Sequence, residues 1–195
     1  MKSILMLAAS VILGAQTANE QAIMRMAGAI QRQILLLPEY GVFDSLSFSF
    51  KGDTVILRGS ASRPILKSSA ENVTKKVEGV AKVENQIEVT PLSPMDDGIR
   101  LRTYIAIYGH PALQRFNPNR GTPLFMSRLQ ALTGITNNPP GGNHPVRIIV
   151  KNGNVTLEGV LPTAGDRTIA ELQANGVSGV FSVTNNIQIE DKRRR

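Results

Sequence analysis

The stretch Val77-Glu78-Gly79-Val80-Ala81-Lys82-Val83-Glu84-Asn85-Gln86-Ile87 returns 100 residues later as Val177-Ser178-Gly179-Val180-Phe181-Ser182-Val183-Thr184-Asn185-Asn186-Ile187, with six of eleven positions identical. Laying residues 51–89 on residues 151–189 without a gap gives twelve identities in 39, where ordinary composition supplies roughly two or three. The chain is therefore built from two related units, residues 19–90 and 91–190. Units this small bury a modest share of their surface, so the two are expected to touch. The repeated residues are Lys51, Val55, Leu57, Gly59, Ala70, Glu71, Val77, Gly79, Val80, Val83, Asn85 and Ile87 with their partners. Apolar side chains and glycines dominate that set, so the units share a fold rather than a reactive group.

Periodicity gives each unit the order helix, strand, strand, helix, strand. Ile23, Met26, Ala27, Ile30, Ile34 and Leu37 recur at helical spacing until Pro38. Leu46, Phe48 and Phe50 alternate with serines as in a half-buried strand, and Lys51-Gly52-Asp53 turns the chain into Val55 and Leu57. Ser62 is a candidate cap for a helix carrying Leu66, Ala70, Val73 and Val77, which stops at Gly79 before a strand over about Ala81–Val89. In the second unit Ser93-Pro94 with Asp96-Asp97 marks a strong helix start. Asn152-Gly153 marks a hairpin turn, and Asp166 is a candidate cap for the second helix. These patterns predict an α+β fold of two tandem α-β-β-α-β units, each a three-stranded mixed sheet with two helices on one face.

The units differ before their hairpins, where the second inserts a loop over residues 112–145, rich in Pro, Gly and Asn. Within it Pro123–Leu132 reads as a short amphipathic helix. Leu124, Phe125, Leu129 and Leu132 form either a seal on the fold or an exposed patch for a partner.

Met1-Lys2-Ser3, the apolar run Ile4–Ala15 and the small-residue exit Gln16-Thr17-Ala18 have the layout of a secretory signal over residues 1–18. An apolar run of about 12 residues falls short of the roughly 20 needed to span a bilayer. The chain has no cysteine, which excludes disulfides, a thiolate zinc site and cysteine acylation. The formal charge is +7, yet residues 19–90 carry only nine basic against eight acidic residues, and residues 91–190 eight against six. Neither unit is a basic body, which argues against a nucleic-acid partner. The tail, residues 191–195, concentrates Lys192, Arg193, Arg194 and Arg195.

No catalytic constellation is present: Gly-x-Ser-x-Gly, a phosphate loop and HExxH are all missing. His110 and His144, the two histidines, both sit beside a proline in loops, where the simplest reading is solvent exposure rather than a metal pair. Asn85 and Asn185 read as groups that satisfy backbone at a strand edge.

Val55-Ile56-Leu57-Arg58-Gly59 with Val77–Ile87, and Val155–Gly159 with Val177–Ile187, resemble the BON domain twice over. The run Ile148–Val160 is especially typical of it. The resemblance implies a helix-strand-strand-helix-strand fold, agreeing with the periodicity. It also implies a phospholipid-interacting, non-enzymatic module of exported bacterial envelope proteins; the residues themselves suggest no cofactor or metal. The long insertion departs from the family pattern. On that basis the protein is expected to be periplasmic, peripheral on a membrane, and a contributor to envelope integrity or stress tolerance. The candidate lipid contacts are Arg100, Arg102, Tyr104 and Tyr108 on the second unit's first helix, with Arg193, Arg194 and Arg195 as an electrostatic tether. The competing role for that helix is core packing. An alternative function is an envelope chaperone or scaffold that binds unfolded or partner proteins through Leu124, Phe125, Leu129 and Leu132.

Overall fold

The computed structural model describes the backbone of residues 3–120 and 134–191, with side chains described from residue 19 onward. The elements are α1 (Ser3–Leu35), β1 (Ser45–Lys51), β2 (Thr54–Ala61), α2 (Pro64–Lys75), β3 (Lys82–Asn85), β4 (Glu88–Val89), α3 (Pro94–Tyr108), β5 (Val146–Lys151), β6 (Asn154–Leu161), α4 (Ala164–Asn175) and β7 (Ser182–Ile189). In the first unit β1 pairs antiparallel with β2, and β2 pairs parallel with β3 and then β4. In the second, β5 pairs antiparallel with β6 and β6 parallel with β7. Both are the mixed sheets that one hairpin and one helical crossover generate.

Alternation along the strands decides which face is covered. Val55, Leu57 and Ile87 meet Ile30 and Ile34 of α1 and Leu66 and Ala70 of α2, leaving Ser47 and Arg58 on the opposite face. In the second unit Ile148, Val150, Val155, Leu157 and Ile187 meet Ile99, Tyr104, Ile107 and Tyr108 of α3 and Ala170 and Ala174 of α4.

The repeated glycines and polar residues have matching jobs. Gly59 and Gly159 hold φ of +115° and +131°, and a Cβ at either would collide with the carbonyl oxygen of Ser45 or Pro145 on the neighbouring segment. Asn85 Nδ2 donates to Lys67 O at 2.9 Å and to Glu71 Oε2 at 3.0 Å, while its Oδ1 accepts from Ile87 N at 3.1 Å. Asn185 repeats the set with Arg167 O at 3.3 Å, Glu171 Oε2 at 2.9 Å and Ile187 N at 3.2 Å. Each asparagine ties the last strand to the second helix, which explains why Asn and Glu are both repeated. In the first unit the strand opens at Gln86-Ile87, separating β3 from β4, so the expected continuous strand is interrupted there.

Two helix starts differ from expectation. Ser62 does not cap α2; its N–H and O–H donate to Asp44 Oδ1 at 2.6 and 2.7 Å, and Arg63 occupies the cap position without a side-chain bond. Thr163, rather than Asp166, caps α4 by accepting from Asp166 N at 3.1 Å.

The units share material as well as contact. Val42 and Phe43, between α1 and β1, are buried in the second unit's core. Val42 O accepts from Ile148 N at 2.8 Å, so this segment satisfies the free edge of β5. Lys151 pairs with Glu88, and Ser45 Oγ donates to Glu158, across the same junction. Among the described residues no helix is long and apolar enough to cross a membrane.

Candidate functional site

Helix α3 presents two different faces, and its start determines both. Ser93 accepts from Asp96 N at 3.3 Å, with Pro94 at the first helical position. The Asp96 carboxylate turns inward and accepts from Asn152 N at 2.9 Å and Gly153 N at 2.8 Å, which fixes the helix start on the β5–β6 turn. Asp97 pairs with Arg100 at 2.8 Å and accepts from Thr136 Oγ1.

The inward face holds three of the four expected lipid contacts, and this corrects them. Arg100 is 1% exposed and donates to Thr136 Oγ1 at 3.0 Å, Thr90 Oγ1 at 3.2 Å and Val150 O at 2.9 Å. It is a buried pin between the units, because Thr90 closes the first and Val150 belongs to β5 of the second. Tyr104 and Tyr108 are buried too. The Tyr108 hydroxyl donates to Val146 O at 2.7 Å and accepts from Val146 N at 3.0 Å, taking both groups of one strand residue. Burial raises the pKa of both tyrosines, so they stay neutral.

His144 is a second correction. It is buried rather than exposed, stacked edge-on against Tyr104 and Tyr108 with centroids 5.5 and 4.9 Å away. Its Nδ1 lies 3.1 Å from Gly142 O, which only accepts, so Nδ1 carries the proton and Nε2 faces the Tyr104 hydroxyl at 3.3 Å. Desolvation lowers its pKa to about 4, which keeps the ring neutral. Among the described residues no three His, Cys, Asp or Glu side chains gather as a metal site.

The outward face of α3 is the candidate site. Met95, Gly98, Arg102 and Ile105 lie three or four residues apart and so form one stripe. Met95 is 50% and Ile105 39% exposed, and Arg102 is exposed with one bond, from Nη2 to Ser178 O at 3.1 Å. That bond brings the stripe to the loop before β7, where Phe181 is 75% exposed and lies against Gly153. The surface combines apolar side chains with a cation that has no carboxylate partner among the described residues. Among the described residues, Arg102 is the one expected contact that lies on it. Arg193, Arg194 and Arg195, and Leu124, Phe125, Leu129 and Leu132, fall outside the described residues. Met95, Ile105 and Phe181 escaped the sequence reading, although the repeat marks Phe181: its counterpart is Ala81.

Comparison with known families finds residues 44–91 and 134–191 each similar to the BON domain. Among solved structures, the C-terminal domain of CdsD, the structural protein of the type III secretion system of Chlamydia trachomatis, aligns over 84% of this chain and 96% of its own at 14% identity and TM-score 0.26. A second CdsD structure aligns over 85% and 93% at 12% identity and TM-score 0.25. No curated protein matches significantly.

Proposed function

Because the chain belongs to the BON domain family, a non-catalytic family of envelope-associated proteins, we propose that it is a non-enzymatic envelope protein that binds phospholipid membrane surfaces and supports envelope integrity. Residues 1–18 serve as its export signal, and it works in the periplasm. The observation that carries this reading is the outward stripe of α3, where Met95 and Ile105 flank Arg102 and Phe181 stands beside them. An aromatic and aliphatic surface enters the interfacial zone, while the guanidinium meets lipid phosphate; each such cation contributes roughly 1 kcal/mol near an anionic surface. Arg193, Arg194 and Arg195 add attraction without needing a fixed geometry.

Co-sedimentation with anionic vesicles at low salt tests the reading. Arg102→Glu and Phe181→Ser are each expected to weaken binding about tenfold, from reversed charge or lost apolar insertion. Deleting residues 191–195 weakens it further and reduces its salt dependence. Unchanged partition of both single variants would remove the α3 surface from the proposal. Equal binding to neutral vesicles, with or without the tail, would remove the tether.

A further inference from the structure

The face of the second sheet opposite α3 carries a cation that forms no ion pair among the described residues. Arg147 follows Val146 and precedes Ile148, both of which point into the core, so its side chain leaves β5 on the other side. There it enters a cleft of about 410 Å³ walled by Leu37, Pro38, Tyr40, Pro139 and Pro140. That volume falls in the range of small-molecule sites. Arg147 is 9% exposed, with its guanidinium carbon 4.5 Å from the Tyr40 ring centroid. Its partners are neutral: Gly41 O at 2.9 Å and Asn143 Oδ1 at 3.4 Å.

Among the described residues no carboxylate lies within ion-pair distance of it. The nearby carboxylates keep their charge but stand beyond ion-pair distance: Glu39, between the cleft residues Pro38 and Tyr40, leaves its buried Oε2 unpartnered, and the other two bond to neutral donors. Asp44 accepts from Gly41 N and from Ser62, and Glu158, the cross-strand neighbour of Arg147, accepts from Ser45. A largely buried cation without a direct ion pair gains from a ligand that brings opposite charge against it.

We propose that this cleft binds an alkyl carboxylate, whose head takes the remaining guanidinium hydrogens of Arg147 and whose chain lies against Leu37, Pro38, Pro139 and Pro140. A carboxylate brings one unit of negative charge into a site already near Asp44 and Glu158, where a phosphate monoester would bring nearly two. The planar head also suits a guanidinium already stacked on an aromatic ring. The site is independent of the membrane reading, since it uses the opposite face of the sheet.

Titration of the full chain with decanoate, decanol and acetate, followed by calorimetry and amide NMR, tests it. Decanoate is expected to move the amide resonances of Gly41, Gly141 and Gly142 and to bind about tenfold or more tighter than either decanol or acetate, as a charge-assisted pair added to apolar burial requires. Arg147→Gln removes the preference for decanoate over decanol. Asn143→Asp, at an exposed rim position, places a competing carboxylate beside Arg147 and weakens decanoate about tenfold without lowering the unfolding midpoint. Decanol binding as well as decanoate, shifts confined to Arg102 and Phe181, absence of decanoate binding, or full affinity in a folded Asn143→Asp protein would each overturn the proposal. Vesicle binding does not use Arg147, so failure of either experiment leaves the other reading standing.

Discussion

The two units tie their second halves with the same Asn–Glu pair and build their first halves differently. Asn85 with Glu71 and Asn185 with Glu171 make the same bonds in the same places. One hundred positions apart, however, Asp44 and His144 are both buried and do opposite chemistry. Asp44 gathers Gly41 N at 2.8 Å and Ser62, holding the segment that carries Val42 and Phe43 into the other unit. His144 is instead enclosed by Tyr104 and Tyr108 of α3. Selection for a common fold accounts for the first similarity. The divergence lies where each unit meets another part of the chain, Asp44 at the segment that enters the neighbouring core and His144 under α3.

Alpha-helical charge provides the largest test of that contrast. Arg100 and Arg102 stand two residues apart, one pinned between the units and one outward. Arg100→Ala leaves Asp97, Thr90 and Val150 O without their partner and is expected to cost roughly 3–5 kcal/mol in urea unfolding. Arg102→Ala should change stability by less than about 0.5 kcal/mol while reducing vesicle binding. Similar costs for both would abolish the distinction between the two faces of α3.

The glycine pair asks whether the common parts are energetically common. Gly59→Ala and Gly159→Ala each force a Cβ onto a carbonyl oxygen at positive φ, and each is expected to cost about 3 kcal/mol. Denaturation followed by circular dichroism checks this. A first-unit change that is tolerated while its counterpart unfolds the protein would show that the shared core does not couple them.

Acidification separates Asp44 from His144 with a smaller effect. His144 titrates at about 4 when folded, against 6.5 when free, so its contribution is intact above pH 6.5 and falls away as pH drops toward 4. Between pH 7 and pH 5 this amounts to about 2 kcal/mol. Burial raises the Asp44 carboxyl pKa, so falling pH relieves rather than weakens that site. Glu71 is shifted downward, chiefly by Lys75 and Asn85, and loses its contribution only in more acidic solution. His144→Phe should therefore flatten the pH dependence of the urea midpoint, and Asp44→Asn should steepen the acid loss. Parallel curves for wild type and His144→Phe would refute the assignment.

Much of the fold was readable because its determinants are local. Ser93-Pro94-Met95-Asp96-Asp97 starts a helix wherever it stands, and Asn152-Gly153 turns a hairpin with φ of +51° and +78°. The candidate surface was less legible. In α3 the polar and apolar residues do not segregate, so spacing did not say whether Arg100 or Arg102 faced water. The answer depends on Thr90, Thr136 and Val150, which are 10 to 50 positions away.

By itself the sequence determined that the chain is duplicated, which elements each copy contains and which apolar residues they bury, since period, turns and caps act over a few residues. Tertiary structure alone decided that Val42 and Phe43 complete the neighbouring core, that His144 is enclosed, and that Arg147 faces a cleft with no ion pair among the described residues. Those outcomes follow from solvent exclusion and charge compensation among distant segments, which become defined only once the two units have packed together.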